Sequence, residues 1–169
     1  MKAKLIIEGK EIEIEILEEE CKKLQLLEEK KTGYERVTEG DKFYYESGRG
    51  IVEPSFDRYD NIDDDYYRTA SYCSSKTVAE NNARADKLMR QLRRFAVEHR
   101  KHGVNLNDTN TGKYYVWYNY GSAELGVSLV FYSKILGAIY FDSEETANAA
   151  IDEFHDELVW YFTEYKDSL

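Results

Sequence analysis

The sequence predicts an α+β protein in which a largely antiparallel sheet is covered by two long helices. Three observations predict it. Apolar and charged or polar residues alternate along several short stretches, as they do along half-buried strands. Two longer stretches, 77–101 and 144–166, repeat apolar residues every three or four positions, the spacing of one helix face. A serine stands just before each of them, where a side-chain oxygen accepts from the first free amides of a helix.

Residues 2–8 and 11–17 alternate around a turn at Glu8, Gly9 and Lys10. Ile12, Ile14 and Ile16 fall on one side and Glu11, Glu13 and Glu15 on the other, so this is a hairpin. Residues 18–31, "EEECKKLQLLEEKK", read as a short helix with acids leading and lysines trailing, as the helix dipole prefers. Leu17, Cys21 and Leu24 share its face, and Thr32 with Gly33 ends it. This ββα unit, residues 1–33, is too small to stand alone and must dock on something.

The main domain is residues 34–169. "KFYYES" from Lys42 is a strand, "GRG" a turn and "IVEP" the return; 66–73, "YYRTASYC", reads as another strand. Ser74 or Ser75 caps the helix at 77–101, whose stripe is Ala85, Leu88, Met89, Leu92, Phe95 and Ala96. A polar loop follows. "KYYVWYNY" (113–120), "GVSLVFYS" and "ILGAIYF" (135–141) read as three more strands. Asp142 or Ser143 caps the last helix, which buries Ala147, Ala150, Ile151, Phe154 and Leu158. Residues 34–102 and 113–169 thus follow one plan, a pseudo-duplicated βββα unit. Tyr72 answers Tyr140, Ser75 answers Ser143 and Ala79 answers Ala147.

The chain of 169 residues carries 23 lysines and arginines against 33 acids, a net charge of -10. Such a protein is repelled by nucleic acid and by anionic membranes unless its positive charge is segregated, and it suits a basic partner. No apolar run is long enough to span a membrane or to serve as a secretory core. Two distant cysteines, Cys21 and Cys73, make no CxxC, so a disulfide framework or zinc site is not expected and a reducing cytoplasm fits. The 15 tyrosines suit either sheet faces or an interface.

Two charged segments stand out. "FDRYDNIDDDYYR", residues 56–68, places five aspartates and four aromatic rings in thirteen positions. Its spacing does not match a calcium loop, which needs alternating oxygens, a glycine at the sixth position and a closing glutamate. A solvated loop is the plainer reading. The sharper one is a surface in which Glu53, Asp57, Asp60, Asp63, Asp64 and Asp65 imitate backbone phosphates. Tyr59 and Tyr66 would supply apolar contact. The helix at 77–101 is the opposite: seven cations against three anions, a local +4. Arg84, Lys87 and Arg94 can share one exposed face, with Arg90 beside it. They read as a solvated face, as a phosphate-contacting surface, or as a partner for the acidic segment. No nucleophile–histidine spacing, phosphate-binding glycine loop or cofactor motif occurs. His99, His102 and His155 read as structural residues, and no enzyme activity is expected.

Taken together, "MKAKLIIEGKEIEIEI", "KKTGYERV", "KFYY", "KTVAENNARADKLMRQLRRFAVEH", "KYYVWYNY" and "IYFDSEETANAAIDEF" resemble a group of small uncharacterised proteins of phages and prophages in Firmicutes. The resemblance covers most of the chain, and its motifs are structural. It implies a phage accessory protein acting in the bacterial cytoplasm. By analogy of class it implies an inhibitor of host defence, such as an anti-CRISPR protein on a Cas9-type nuclease. A nucleic-acid-binding regulator using the arginine-rich helix, and a phage assembly component that forms a homo-oligomer, are the alternatives.

Overall fold

The structure, a computed structural model, describes residues 2–7, 10–15, 31–48, 50–101, 105 and 108–165. The chain divides into two compact units, Met1–Thr32 and Gly33–Leu169. In the first, β1 (Lys2–Ile7) pairs antiparallel with β2 (Lys10–Glu15). The register sets Lys2 opposite Glu15 and Lys4 opposite Glu13, with Leu5 opposite Ile12 between them and the turn. The helix expected over 18–31, with Cys21, lies outside the described residues, as does His102.

The second unit opens with a hairpin, β3 (Lys42–Glu46) and β4 (Val52–Phe56). Gly48 and Gly50, at φ +74° and +73°, supply the left-handed turns that close it. A helix, α1 (Asn61–Arg68), follows, then a two-residue strand, β5 (Tyr72–Cys73), on the other side of β3. The long helix α2 (Lys76–Glu98) comes next. A second hairpin, β6 (Lys113–Asn119) and β7 (Glu124–Val130), leads through residues 131–143 to α3 (Glu144–Thr163).

The α+β class is what forms. The strands, however, make separate sheets among the described residues: β4-β3-β5 and β6-β7 are not joined. Helix α2 serves both. Its first half approaches β5 closely because Ala79 and Ala83 are small and buried. Its second half places Leu88, Leu92, Phe95 and Ala96 against Phe141 and against Ala147, Ala150 and Leu158 of α3. This cluster is the main core. Cys73 is a buried free thiol beside Asn82. Helix α3 bends at Phe154, which leaves the helical region at φ -113°, ψ 21°.

The two halves differ in order, because α1 lies between β4 and β5 while residues 131–143 hold no helix, but one local feature recurs. In each, a short segment returns to pair with the first strand of the preceding hairpin, two residues before the serine cap of a long helix. Cys73 lies opposite Tyr44, and Phe141 opposite Tyr114. Ser75 Oγ accepts from the Val78 amide at 3.5 Å and Ser143 Oγ from the Thr146 amide at 3.1 Å. Ser75→Ala and Ser143→Ala are each expected to cost about 1 kcal/mol. Thermal denaturation should register that as a fall of roughly 2–4 °C in Tm, and Asp at either position should restore it.

Two expected strands are corrected. Residues 66–73 are not a strand; Tyr66, Tyr67 and Arg68 close α1, and only Tyr72 and Cys73 pair. Asp60 decides this, because its carboxylate accepts from the amides of Ile62 and Asp63 and starts a helix there. Residues 135–141 also fail to form a strand. Ala138 turns back to the Ile135 carbonyl at 3.2 Å, with Gly137 at φ +80°, so only Phe141 reaches β6.

Candidate interaction surface

The acidic segment is built around one buried ion pair. Phe56 ends β4, and the chain turns back through Gly40 N to Asp57 O (2.7 Å) and Asp57 N to Asp41 O (3.0 Å). This buries the Asp57 side chain completely. Its carboxylate accepts from Arg36 Nε (2.9 Å) and Nη2 (3.2 Å), from the Tyr72 hydroxyl (2.9 Å) and from the Tyr59 amide (2.8 Å). The Arg36 guanidinium, foremost, holds the Asp57 carboxyl below its ordinary range, against the opposing effect of burial. Asp57 in turn raises Arg36. Burial, chiefly, pushes the Tyr72 hydroxyl up.

Arg36 extends the network outward. Its Nη1 donates to Asp64 on α1 at 2.6 Å. The guanidinium lies 4.3 Å from the centre of the Tyr59 ring and 5.7 Å from that of Tyr67, distances at which cation and ring attract. The Tyr59 hydroxyl donates to the Val37 carbonyl, and the Tyr72 hydroxyl accepts from the Val37 amide. Below α1, Tyr66 packs on Tyr45 at 4.5 Å and Phe43 stacks on Tyr72 at 4.1 Å. Asp63 is buried and accepts from the Arg58 amide at 2.6 Å. Nothing in the sequence near Arg36 marks it. It sits in the connection between Gly33 and β3, and only the fold brings it to Asp57.

Two of the six acids expected to face a partner therefore do not. Asp57 and Asp63 are structural, because a buried carboxylate must be paired or hydrogen-bonded to remain charged. The others are exposed. Asp60 caps α1, Asp64 touches Arg36, Asp65 is paired with Arg68, and Glu53 lies on β4 near the Tyr45 hydroxyl. Tyr66 is half-buried under α1 and Tyr59 is exposed. Ile62, 64% exposed, stands among the carboxylates, in first-turn company with Asp63 and Asp64. The segment is a short, ordered helix with an acidic and partly apolar outer face, and not a loose loop.

The arginine-rich helix is also more engaged than its sequence implies. Arg84 donates to Glu157 through Nε (2.8 Å) and Nη2 (3.1 Å) and covers the Trp160 ring at 3.8 Å. Arg90 donates to Glu46 at 3.1 Å. Arg94 lies 3.9 Å from Glu98. Lys87, Arg90 and Arg94 flank a shallow groove together, while Arg84 is drawn away toward α3.

His99 stacks on Phe95 and its Nδ1 contacts the Phe95 carbonyl, whereas His155 is exposed beside Asp156 and not against the apolar face. Among the described residues, no group of three or more His, Cys, Asp or Glu side chains is placed to hold a metal ion. Among them, too, no helix is long and apolar enough to cross a membrane. The chain is an α+β protein with an acidic, aromatic-framed helix on its surface. Compared with protein-family models, with curated proteins and with solved structures, it matches none.

Proposed function

We propose that the protein is a binding protein and not an enzyme, and that α1 is its recognition element. The partner is the basic, nucleic-acid-binding groove of a host defence nucleoprotein in the bacterial cytoplasm. A Cas9-type effector, whose heteroduplex and PAM-duplex channels are lined with cations, is the leading candidate. A phage-encoded inhibitor of this kind acts by occupying the groove.

The observation that carries the reading is the frame beneath α1. Arg36, Asp57, Tyr59 and Tyr72 order the segment before any partner arrives, so little conformational freedom is lost on binding. Asp60, Asp64, Asp65 and Glu53 then meet cations from fixed positions, and Ile62 and Tyr59 add apolar contact. The net charge of -10 draws the protein toward a basic groove from a distance.

The test is Asp60→Asn, Asp64→Asn and Asp65→Asn together. Asparagine caps a helix as well as aspartate does, and all three side chains are exposed, so the fold stands. Capture of the partner from host lysate should weaken by roughly tenfold or more, and wild-type capture should weaken as salt rises. Undiminished capture by the triple variant would sink the reading. Reversal of Asp63 is no test, since loss of its bond to the Arg58 amide disturbs the fold itself.

A second reading rests on the convergence of Lys87, Arg90 and Arg94 on one groove of α2. There the protein would contact phosphates directly. A salt-sensitive gel shift with DNA, lost in Lys87→Ala with Arg94→Ala, separates it from the first.

A further inference from the structure

The gap between β6 and residues 135–139 carries an inference independent of the acidic surface. On one side β6 pairs with β7 along its whole length, from Lys113 with Val130 to Asn119 with Glu124. On the other side Tyr114 exchanges both main-chain bonds with Phe141, at 3.1 and 2.8 Å. Had that pairing run on, Ile139 would stand opposite Val116. Instead the chain turns on itself. The Ala138 amide donates to the Ile135 carbonyl at 3.2 Å, the Ile135 amide donates to the Tyr140 hydroxyl, and Gly137 takes a φ of +80°. These local bonds hold residues 135–139 off the strand.

The space left is a half-open pocket of about 300 Å³. The buried Leu92, Phe141 and Leu158 line it, with Val116 of β6 and with Ala138 and Ile139 of the connecting segment. No charged side chain lines it. In an antiparallel ladder the main-chain groups of alternate residues aim at the same edge. The Val116 amide and carbonyl therefore aim as those of Tyr114 do, away from β7 and toward the pocket. Among the described residues, no hydrogen bond closes on them there. Main-chain groups sheltered from water call for a partner. An apolar pocket with a few convergent polar groups is the usual form of a small-molecule site.

We propose that this pocket binds an uncharged, planar heterocycle whose edge carries an N–H beside an acceptor, as a bicyclic lactam does. The ligand's acceptor takes the Val116 amide, and its N–H meets the Val116 carbonyl. The rings fill the apolar space between β6 and Ile139. Size supports two fused rings: a cavity of about 150 Å³ takes one benzene ring, and the volume here is about twice that. Charge excludes the common anionic ligands, because a phosphate or carboxylate would be buried there without a counter-charge. The wall formed by residues 135–139 is already shaped by its own bonds, so binding need not order it.

Titration of the isotope-labelled full chain with isoquinolinone, a bicyclic lactam, followed by amide NMR, tests this. The expected result is a saturable shift of the Val116 amide. N-methylisoquinolinone keeps the rings and the carbonyl but has no N–H to donate, and should bind roughly tenfold more weakly. Ala138→Trp fills the pocket from a half-buried position in no helix or strand, and should abolish the shift, with circular dichroism confirming the fold. No shift at Val116 up to the solubility limit of the lactam overturns the proposal. So does binding that Ala138→Trp leaves unchanged, and so does equal affinity for the two compounds.

Discussion

Asp57→Ala lowers stability by about 3 kcal/mol, which is a fall of roughly 6–12 °C in Tm. The substitution leaves the Tyr72 hydroxyl and the Tyr59 amide without their acceptor. Arg36 keeps Asp64, at the protein's edge, and its contacts with the Tyr59 and Tyr67 rings, but loses its buried carboxylate. Removing one member of a buried pair is severe because the other member keeps its desolvation penalty and loses its compensation. The effect depends on pH in a definite direction. The folded carboxyl titrates below its ordinary value of 3.8. Its contribution is fully present above that value, begins to decline below it, and is gone once pH has fallen through the folded value. Urea midpoints of wild type and Asp57→Ala should therefore differ widely at neutral pH and converge in strong acid. A constant difference would show that the ion pair is not what stabilises the segment. The same substitution loosens α1, so partner capture should fall with it.

Lys113→Met is the second large effect, at about 3 kcal/mol. Lys113 is only 2% exposed, yet among the described residues no carboxylate oxygen bonds its ammonium group. Its Nζ instead donates to three main-chain carbonyls: Asp108 at 3.0 Å, Thr111 at 3.2 Å and Phe131 at 2.8 Å. This clips the loop before β6 to the end of β7. Methionine fills the same channel for the chain but donates nothing, so three carbonyls lose a charged donor inside the protein. Thermal unfolding reads the loss directly. A variant within about 2 °C of wild type would mean that water satisfies those carbonyls equally well.

Lys113 also shows where sequence patterns stop. Lys42 and Lys113 open equivalent aromatic strands, in "KFYY" and "KYYV", and look alike on the page. Lys42 is exposed, 5.8 Å from the Phe56 ring. Lys113 is buried. The difference is supplied by the carbonyls of a loop that only the folded chain brings near. Arg36 is the same case. The expected acidic surface named Asp57 and Asp63, and neither faces solvent, because acidic residues clustered in sequence need not be clustered in exposure. A local signal did exist for α1. Asp60 with acids at Asp63 and Asp64 and Arg68 at the far end is the charge order of a helix. The β-favouring Tyr66, Tyr67 and Tyr72 carry the opposite local signal over 66–73.

What the sequence determined by itself is everything that rests on contacts within a few residues. The serine caps at Ser75 and Ser143 are of this kind. So are the apolar stripes of α2 and α3, and the glycine turn after β3. Hence the two long helices, the hairpins and the α+β class were legible. Tertiary structure decided which charges are buried, and whether a strand-like run finds an edge to join. Those outcomes depend on groups distant in the chain: Arg36 reaching Asp57, the Phe131 carbonyl reaching Lys113, Gly137 turning residues 135–138 away from β6. A main-chain edge or a charge has no fixed partner until the fold supplies one, and no periodicity in the sequence records that choice.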